Sequence, residues 1–312
     1  MINSRPYQSE DAEVWDRVIK TSRNGTLLFY RNFMDYHKDR FQDASLLFFD
    51  GQEAVGCLPM SRHGQVLNSH GGLTFGGLIS LPEMRFAQIE AMLEETLRFA
   101  RETNCERIIY KPTPYIYHQC PSQEDVFCLL RRGATLTRTD LNTVVDLNGR
   151  RPVQERRVRG AKYAAKAGVE LEFHSNRYEE YWTLLEATLH DRHGLTPVHS
   201  CQEAILLRSR FPEQIRLHVA TLENEVIAGV LTFDSGLTVH AQYIAADSKG
   251  RDSHALDFLF LNLLKSMNHP CRYFSFGIST FDEGRQLNRG LLEQKEGFGG
   301  RTLTQDWYEL KI

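Results

Sequence analysis

The residues with the clearest chemical potential lie close together near the end of the chain, in YFSFGISTFDEGRQLNRGLLEQKEGFGGR (273–301). Tyr273 to Phe276 alternates aromatic and small residues like a strand, and Gly277 stops it. A polar loop follows that holds Ser279, Glu283 and Asn288, and then a helix from about Arg285 to Glu296 that carries Lys295. Gly297-Phe298-Gly299-Gly300 closes the helix, where glycine takes the left-handed conformation a helix end needs. A polar loop at the carboxyl end of a strand is where open α/β folds place ligands. The loop residues are therefore candidate substrate contacts. Lys295 is a candidate for stabilising an oxyanion or holding a phosphate. Upstream, His193 and His199 frame the Pro197 loop, and an imidazole suits the removal of a proton from an ammonium.

These groups must be positioned by the rest of a 312-residue chain, long enough for two domains. It is 41% hydrophobic and 25% charged, with a net charge of −3, so it is built like a globular protein and does not advertise DNA. The six cysteines show no CxxC pair, and they read as reduced thiols of a cytoplasmic protein with no transmembrane run. No zinc spacing, phosphate loop or G-x-S-x-G is present, so no metal site is expected.

One order of elements occurs twice. Residues 45–60 read as a hairpin across Asp50-Gly51, 66–79 as a further strand pair, 86–103 as a helix and 105–110 as a strand ending at KPTP. Residues 216–231, 237–244, 253–267 and 273–276 repeat this. The repeat predicts an α/β (α+β) protein with two tandem domains, each a mixed, mostly antiparallel sheet flanked by helices. The expected division is 1–150 and 151–312. The second domain opens on a basic linker helix (about 151–167), in a stretch with seven Arg or Lys against one Glu at 150–168. Arg157 and Arg159 belong to it, and it suits phosphates of a nucleotide sugar, a lipid carrier or tRNA. Tyr243 on the long strand, and Lys111 and His37 in the first half, are further candidates for lining a substrate cleft.

The strand-turn-strand, strand, helix, strand order resembles the GNAT acyltransferase fold, and its duplication resembles the FemABX-like branch with tandem GNAT domains. Lys295-Glu296-Gly297-Phe298-Gly299, the basic helix and the PVHS loop (197–200) are similar to motifs of that branch. The resemblance implies a catalytic role for Lys295. It also implies an acyl-CoA co-substrate, not a tightly bound cofactor, with its pyrophosphate on an R/Q-x-x-G-x-G/A turn. Here that turn corresponds to Gly250, Ser253, His254 and Ala255, and of its three defining positions only Ala255 fits. The implied function is amide formation on an amine of a cell-envelope or polysaccharide precursor. Aminoacyl-tRNA is the alternative donor, and a non-catalytic carbohydrate- or protein-binding module on the same fold is the alternative of another class.

Overall fold

The structure is a computed structural model that describes residues 1–312 except His70, Asn268 and His269. The side chains of Arg192 and His193 also lie outside the described residues. The chain forms two compact units. Met1–Asp140, Asp282–Arg285 and Thr304–Ile312 make the first, and Leu141–Phe281 with Gln286–Leu303 make the second. The strands Thr135–Asp146 and Arg301–Lys311 each divide between them.

In the first unit the strands Ile2–Pro6, Leu46–Asp50, Glu53–Leu58 and Ile79–Ser80 form an antiparallel sheet in that order. The expected Asp50-Gly51 turn joins two of them, with Gly51 at φ +62°. A second group pairs Arg107–Tyr110 with Val66–Asn68 in parallel and with Tyr308–Lys311 antiparallel. The helix Phe86–Glu102 lays Ile89, Met92, Leu93 and Leu97 on a core containing Leu46, Phe48, Leu67 and Ile108, as its spacing requires. The expected strand pair of 66–79 is not continuous. Only Val66–Asn68 and Ile79–Ser80 are strand, and Gly72 and Gly77 lie between them at positive φ, where a pleated ladder cannot run.

In the second unit Glu170–Ser175, Ile215–Leu222, Glu225–Asp234 and Thr238–Ala246 run antiparallel in that order. Tyr273–Ile278 then adds in parallel, and the 142–146 half of the divided strand pairs antiparallel to its other edge. The parallel pairing lasts only three residues, Thr238 to His240 against Tyr273 to Ser275, after which the two strands separate. The helix Ala255–Ser266 packs Leu259, Phe260, Leu263 and Leu264 into the core. Among the described residues, no helix is long and apolar enough to cross a membrane.

Several elements escaped the hydrophobic pattern: the strands Thr135–Asp146, Glu170–Ser175 and Arg301–Lys311, and the helices Glu124–Arg131 and Cys201–Arg210. In Thr135–Asp146 three of the fully buried residues, Asp140, Asn142 and Thr143, are polar, so polar side chains fill places where periodicity looks for apolar ones. The helix expected from Arg285 is shorter, Arg289–Glu296. It is preceded by a hairpin of Thr280–Phe281 with Gln286–Leu287, turned by Asp282, Glu283 and Gly284 at positive φ. Its left-handed glycine is Gly299 at φ +88°, two residues beyond Gly297, which stays right-handed.

Candidate active site

Lys295 lies where the two parallel strands part. Its side chain is 3% exposed, and Nζ donates to the carbonyl oxygens of Gly277 (2.9 Å) and Ile278 (2.6 Å). No carboxylate pairs with it among the described residues. Burial alone pulls the amine from an ordinary lysine value down to about 7. At neutral pH it therefore exchanges between a neutral amine and an ammonium. Both anchoring carbonyls can be served by either form, because an ammonium has three N–H groups and a neutral amine two.

Both ends of this contact are built into the fold. Asn288 caps the lysine's helix, its Oδ1 accepting from Leu291 N (3.0 Å). The far end is fixed by packing. Phe298 stacks on Phe276 at 5.6 Å and meets Phe260 at 5.5 Å. A Cβ on Gly300 would stand 2.6 Å from Thr143 Cγ2, and one on Gly299 would stand 2.7 Å from the Arg151 carbonyl. The glycines after Lys295 thus permit a close backbone approach that holds the lysine in place.

The carbonyls are aimed by a bend at Gly277, which takes φ +76°. Behind it, the Ser275 hydroxyl lies 3.1 Å from His240 Nδ1 and 3.1 Å from the Asn142 side-chain amide, and it accepts from Gly277 N at 3.3 Å. Asn142, Ser275 and His240 were not expected from the sequence. Their one signal was polar residues inside otherwise apolar strands. Ser279 is 1% exposed, with its N–H on Leu141 O (2.8 Å) and its carbonyl accepting from Asn288 N (2.9 Å), while its buried Oγ has no partner among the described residues. It follows directly on Ile278, whose carbonyl anchors Lys295.

The other expected residues divide into groups. His199 Nδ1 is 2.7 Å from the Tyr243 hydroxyl, which also accepts from His199 N at 3.2 Å, and Trp182 Nε1 donates to the His199 carbonyl at 3.2 Å. His199 and Tyr243 are therefore brought together; the side chain of His193 lies outside the described residues. Glu283 is an exposed turn residue of the other unit, with its carboxylate accepting from Arg285 at 2.9 Å. Lys111 and His37 also belong to that unit. Lys111 Nζ stands 4.6 Å above the Trp307 ring, and His37 lines a small cavity with Arg31 and Ser61.

The turn before the helix Ala255–Ser266 uses its own N–H groups. Gly250, Ser253 and His254 spend their N–H groups on Asp247, Lys249 and Arg251. Gly250 itself packs where a Cβ would come within 2.1 Å of the Ile227 carbonyl, and Ala255 is wholly buried. Asp257, in the first turn and 4% exposed, accepts from Arg157 at 2.9 Å and approaches His254 Nδ1 at 3.3 Å. Gly160 of the basic helix passes so close that a Cβ would meet Asp257 Oδ2 at 2.4 Å. The chain's own carboxylate thus stands in the first turn of this helix, where the helix dipole favours negative charge. Arg156, Arg159, Lys162 and Lys166 remain exposed on the basic helix.

A family described as "Acetyltransferase (GNAT) domain" matches residues 151–284. Among solved structures, FemX is similar over 99% of this chain and 97% of its own, at a TM-score of 0.71 and 12% identity. The chain has the tandem GNAT acyltransferase fold. A tandem GNAT protein from the clavulanic acid biosynthesis pathway agrees at TM-score 0.53 and 12% identity, covering 100% of this chain and 98% of its own. The C-terminal domain of an Agrobacterium fabrum protein named as a lysylphosphatidylglycerol synthetase is similar at TM-score 0.62 and 10% identity, over 97% of this chain and 91% of its own. The sequence has no match among curated proteins. The GNAT domain match supports an acyltransferase, the solved structures show the fold alone, and the matched part holds the strand whose last carbonyls accept from Lys295.

Proposed function

We propose that this acyltransferase forms an amide by moving an aminoacyl group from aminoacyl-tRNA to an amine of a cell-envelope precursor. The observation that carries the reading is Lys295, buried, unpaired with any carboxylate among the described residues and held near neutrality between two carbonyls. In such a transfer the acceptor amine attacks the ester carbonyl. The C–N bond forms, the C–O bond to the ribose breaks, the amine loses a proton and the departing alkoxide gains one. As an ammonium, Lys295 keeps one N–H for the charge that develops on oxygen. The buried Ser275 network keeps its two anchors fixed, which preorganises that donor.

The choice of donor rests on Asp257. A CoA pyrophosphate at the start of Ala255–Ser266 would meet a buried carboxylate already held by Arg157, whereas a donor held elsewhere through its own polyanionic backbone would not. The exposed cations of Glu155–Lys166 suit a polyanion such as tRNA. The likeness to FemX, and to a protein named for making lysylphosphatidylglycerol, supports aminoacyl chemistry at the envelope.

The test offers the purified protein labelled aminoacyl-tRNA, acetyl-CoA and longer acyl-CoAs in turn, with peptidoglycan-type precursors and aminated polysaccharide units as acceptors. Amide formation from aminoacyl-tRNA that is lost in Lys295→Met is expected. Transfer from a CoA thioester alone would overturn the donor, and transfer from neither would overturn the reading.

A further inference from the structure

The second unit contains another cavity, of about 450 Å³, that shares no lining residue with the Lys295 site. Its walls come from the strands Glu170–Ser175, Ile215–Leu222 and Glu225–Asp234 and from the end of the helix Ala255–Ser266. The central wall residue is His218, 3% exposed. Its Nε2 lies 3.3 Å from Thr232 Oγ1, and the Thr232 hydroxyl gives its single proton to the Arg216 carbonyl at 3.1 Å. The imidazole must therefore donate through Nε2–H, which leaves Nδ1 with a lone pair. Nδ1 is buried and has no partner among the described residues. Burial holds the ring neutral, down to about 3, with His174 and Arg216 adding to the effect, so no proton fills that lone pair at ordinary pH. His218 therefore adds no charge to the wall, and its buried Nδ1 is closed to a molecule in the cavity.

Two opposite charges face the same space. Arg216 has one ion pair, at 3.3 Å to Glu213, whose side chain is 81% exposed, so that contact holds it weakly. Asp234 accepts from Gly236 N at 2.7 Å, and burial pushes its carboxyl above the usual range. Among the described residues no ion pair within 4.0 Å joins Arg216 to Asp234. His174 is directed into the cavity by a bulge between Phe173 and Ser175, and it holds φ +58°, which is costly for a residue with a Cβ. Leu263 supplies an apolar surface opposite these groups.

We propose that this cavity binds a free α-amino acid, with its carboxylate on Arg216, its ammonium on Asp234 and its side chain toward Leu263. A positive and a negative group that line one cavity without an ion pair between them match a zwitterion better than either of its halves alone. The site is separate from transfer at Lys295 and stands whether or not the donor is aminoacyl-tRNA.

Calorimetric titration of the full chain with the common L-amino acids, one at a time, tests it. At least one is expected to bind saturably, and its matched amine and matched carboxylic acid about tenfold or more weaker. Arg216→Gln and Asp234→Asn should each weaken that binding by about tenfold or more, while Lys295→Met leaves it unchanged. Absence of any amino-acid binding overturns the proposal. So does equal binding of either half-molecule, binding indifferent to both cavity substitutions, or binding lost in Lys295→Met. Should the variants unfold, the side-chain carboxylate ¹³C resonance of Asp234 in the unaltered protein decides the matter. It must move saturably as amino acid is added, and a resonance that stays fixed sinks the idea.

Discussion

Each unit buries one lysine beside a strand that follows its long helix, and the two lysines end in opposite situations. Lys111 directly succeeds Arg107–Tyr110, and Lys295 contacts the last two carbonyls of Tyr273–Ile278. Burial lowers both, to about 8 and about 7 respectively. Lys111 sits above the Trp307 ring at 4.6 Å, and Asp140 favours its charged form. Arg138 covers the same ring at 4.7 Å and holds Asp140 at 2.8 Å. Its charge is used in a cation–π and ion-pair stack that serves packing. Among the described residues Lys295 has neutral carbonyls and no carboxylate at its nitrogen, so its proton remains exchangeable and its charge uncompensated. Burial alone does not distinguish the two lysines; the partners of the nitrogen do.

The sharpest way to break this contrast is to remove each amine. Lys295→Met should lower single-turnover transfer by about 10²–10³, the usual cost of losing one charge-stabilising donor. Lys111→Met should change it by less than about tenfold, because an apolar side chain of similar volume can replace a buried charge in a packed stack. Equal losses from the two, measured on variants with unaltered circular dichroism, would show that the lysines do not differ in kind.

The next test is pH. If Lys295 acts as an ammonium, transfer should fall about tenfold per unit once pH passes above about 7. A rate that instead rises through the same window would make the lysine a base. Stability should respond in the opposite direction. The unfolded lysine keeps its proton up to about 10.5, while the folded one loses it near 7, so the unfolded state binds more protons between those values. Stability is therefore expected to rise with pH across that window by at most about 1.4 kcal/mol per unit. Urea titrations at stepped pH should show the gain flattened in Lys295→Met. In Lys111→Met they should show it reduced only in the narrower window above about 8. The smallest effect belongs to the cap: Asn288→Ala should cost about 1 kcal/mol in the same urea titrations by freeing the Leu291 N–H.

Much of this was legible in the chain. The Asp50-Gly51 turn, the helices near 86–102 and 255–266, the strand at 273 and the duplicated order follow from local rules, because glycine geometry and helical spacing are encoded within a few residues. The same holds for Lys295 followed by its glycines, a pattern dense enough to single out one lysine. The strand Thr135–Asp146 was hidden because buried Asp140, Asn142 and Thr143 break the apolar period it should have shown. Only the tertiary structure could decide how Lys295 is held, since the Gly277 and Ile278 carbonyls reach it across an intervening hairpin and helix, and the Asn142 and His240 side chains behind them come from distant parts of the chain. It also decided that Asp257, in the first turn of its helix, is held by Arg157 100 residues away. The sequence determines which groups are present and how each segment is inclined to fold. Desolvation and partner geometry, which set the proton affinity of a buried amine, arise only when remote segments close around it.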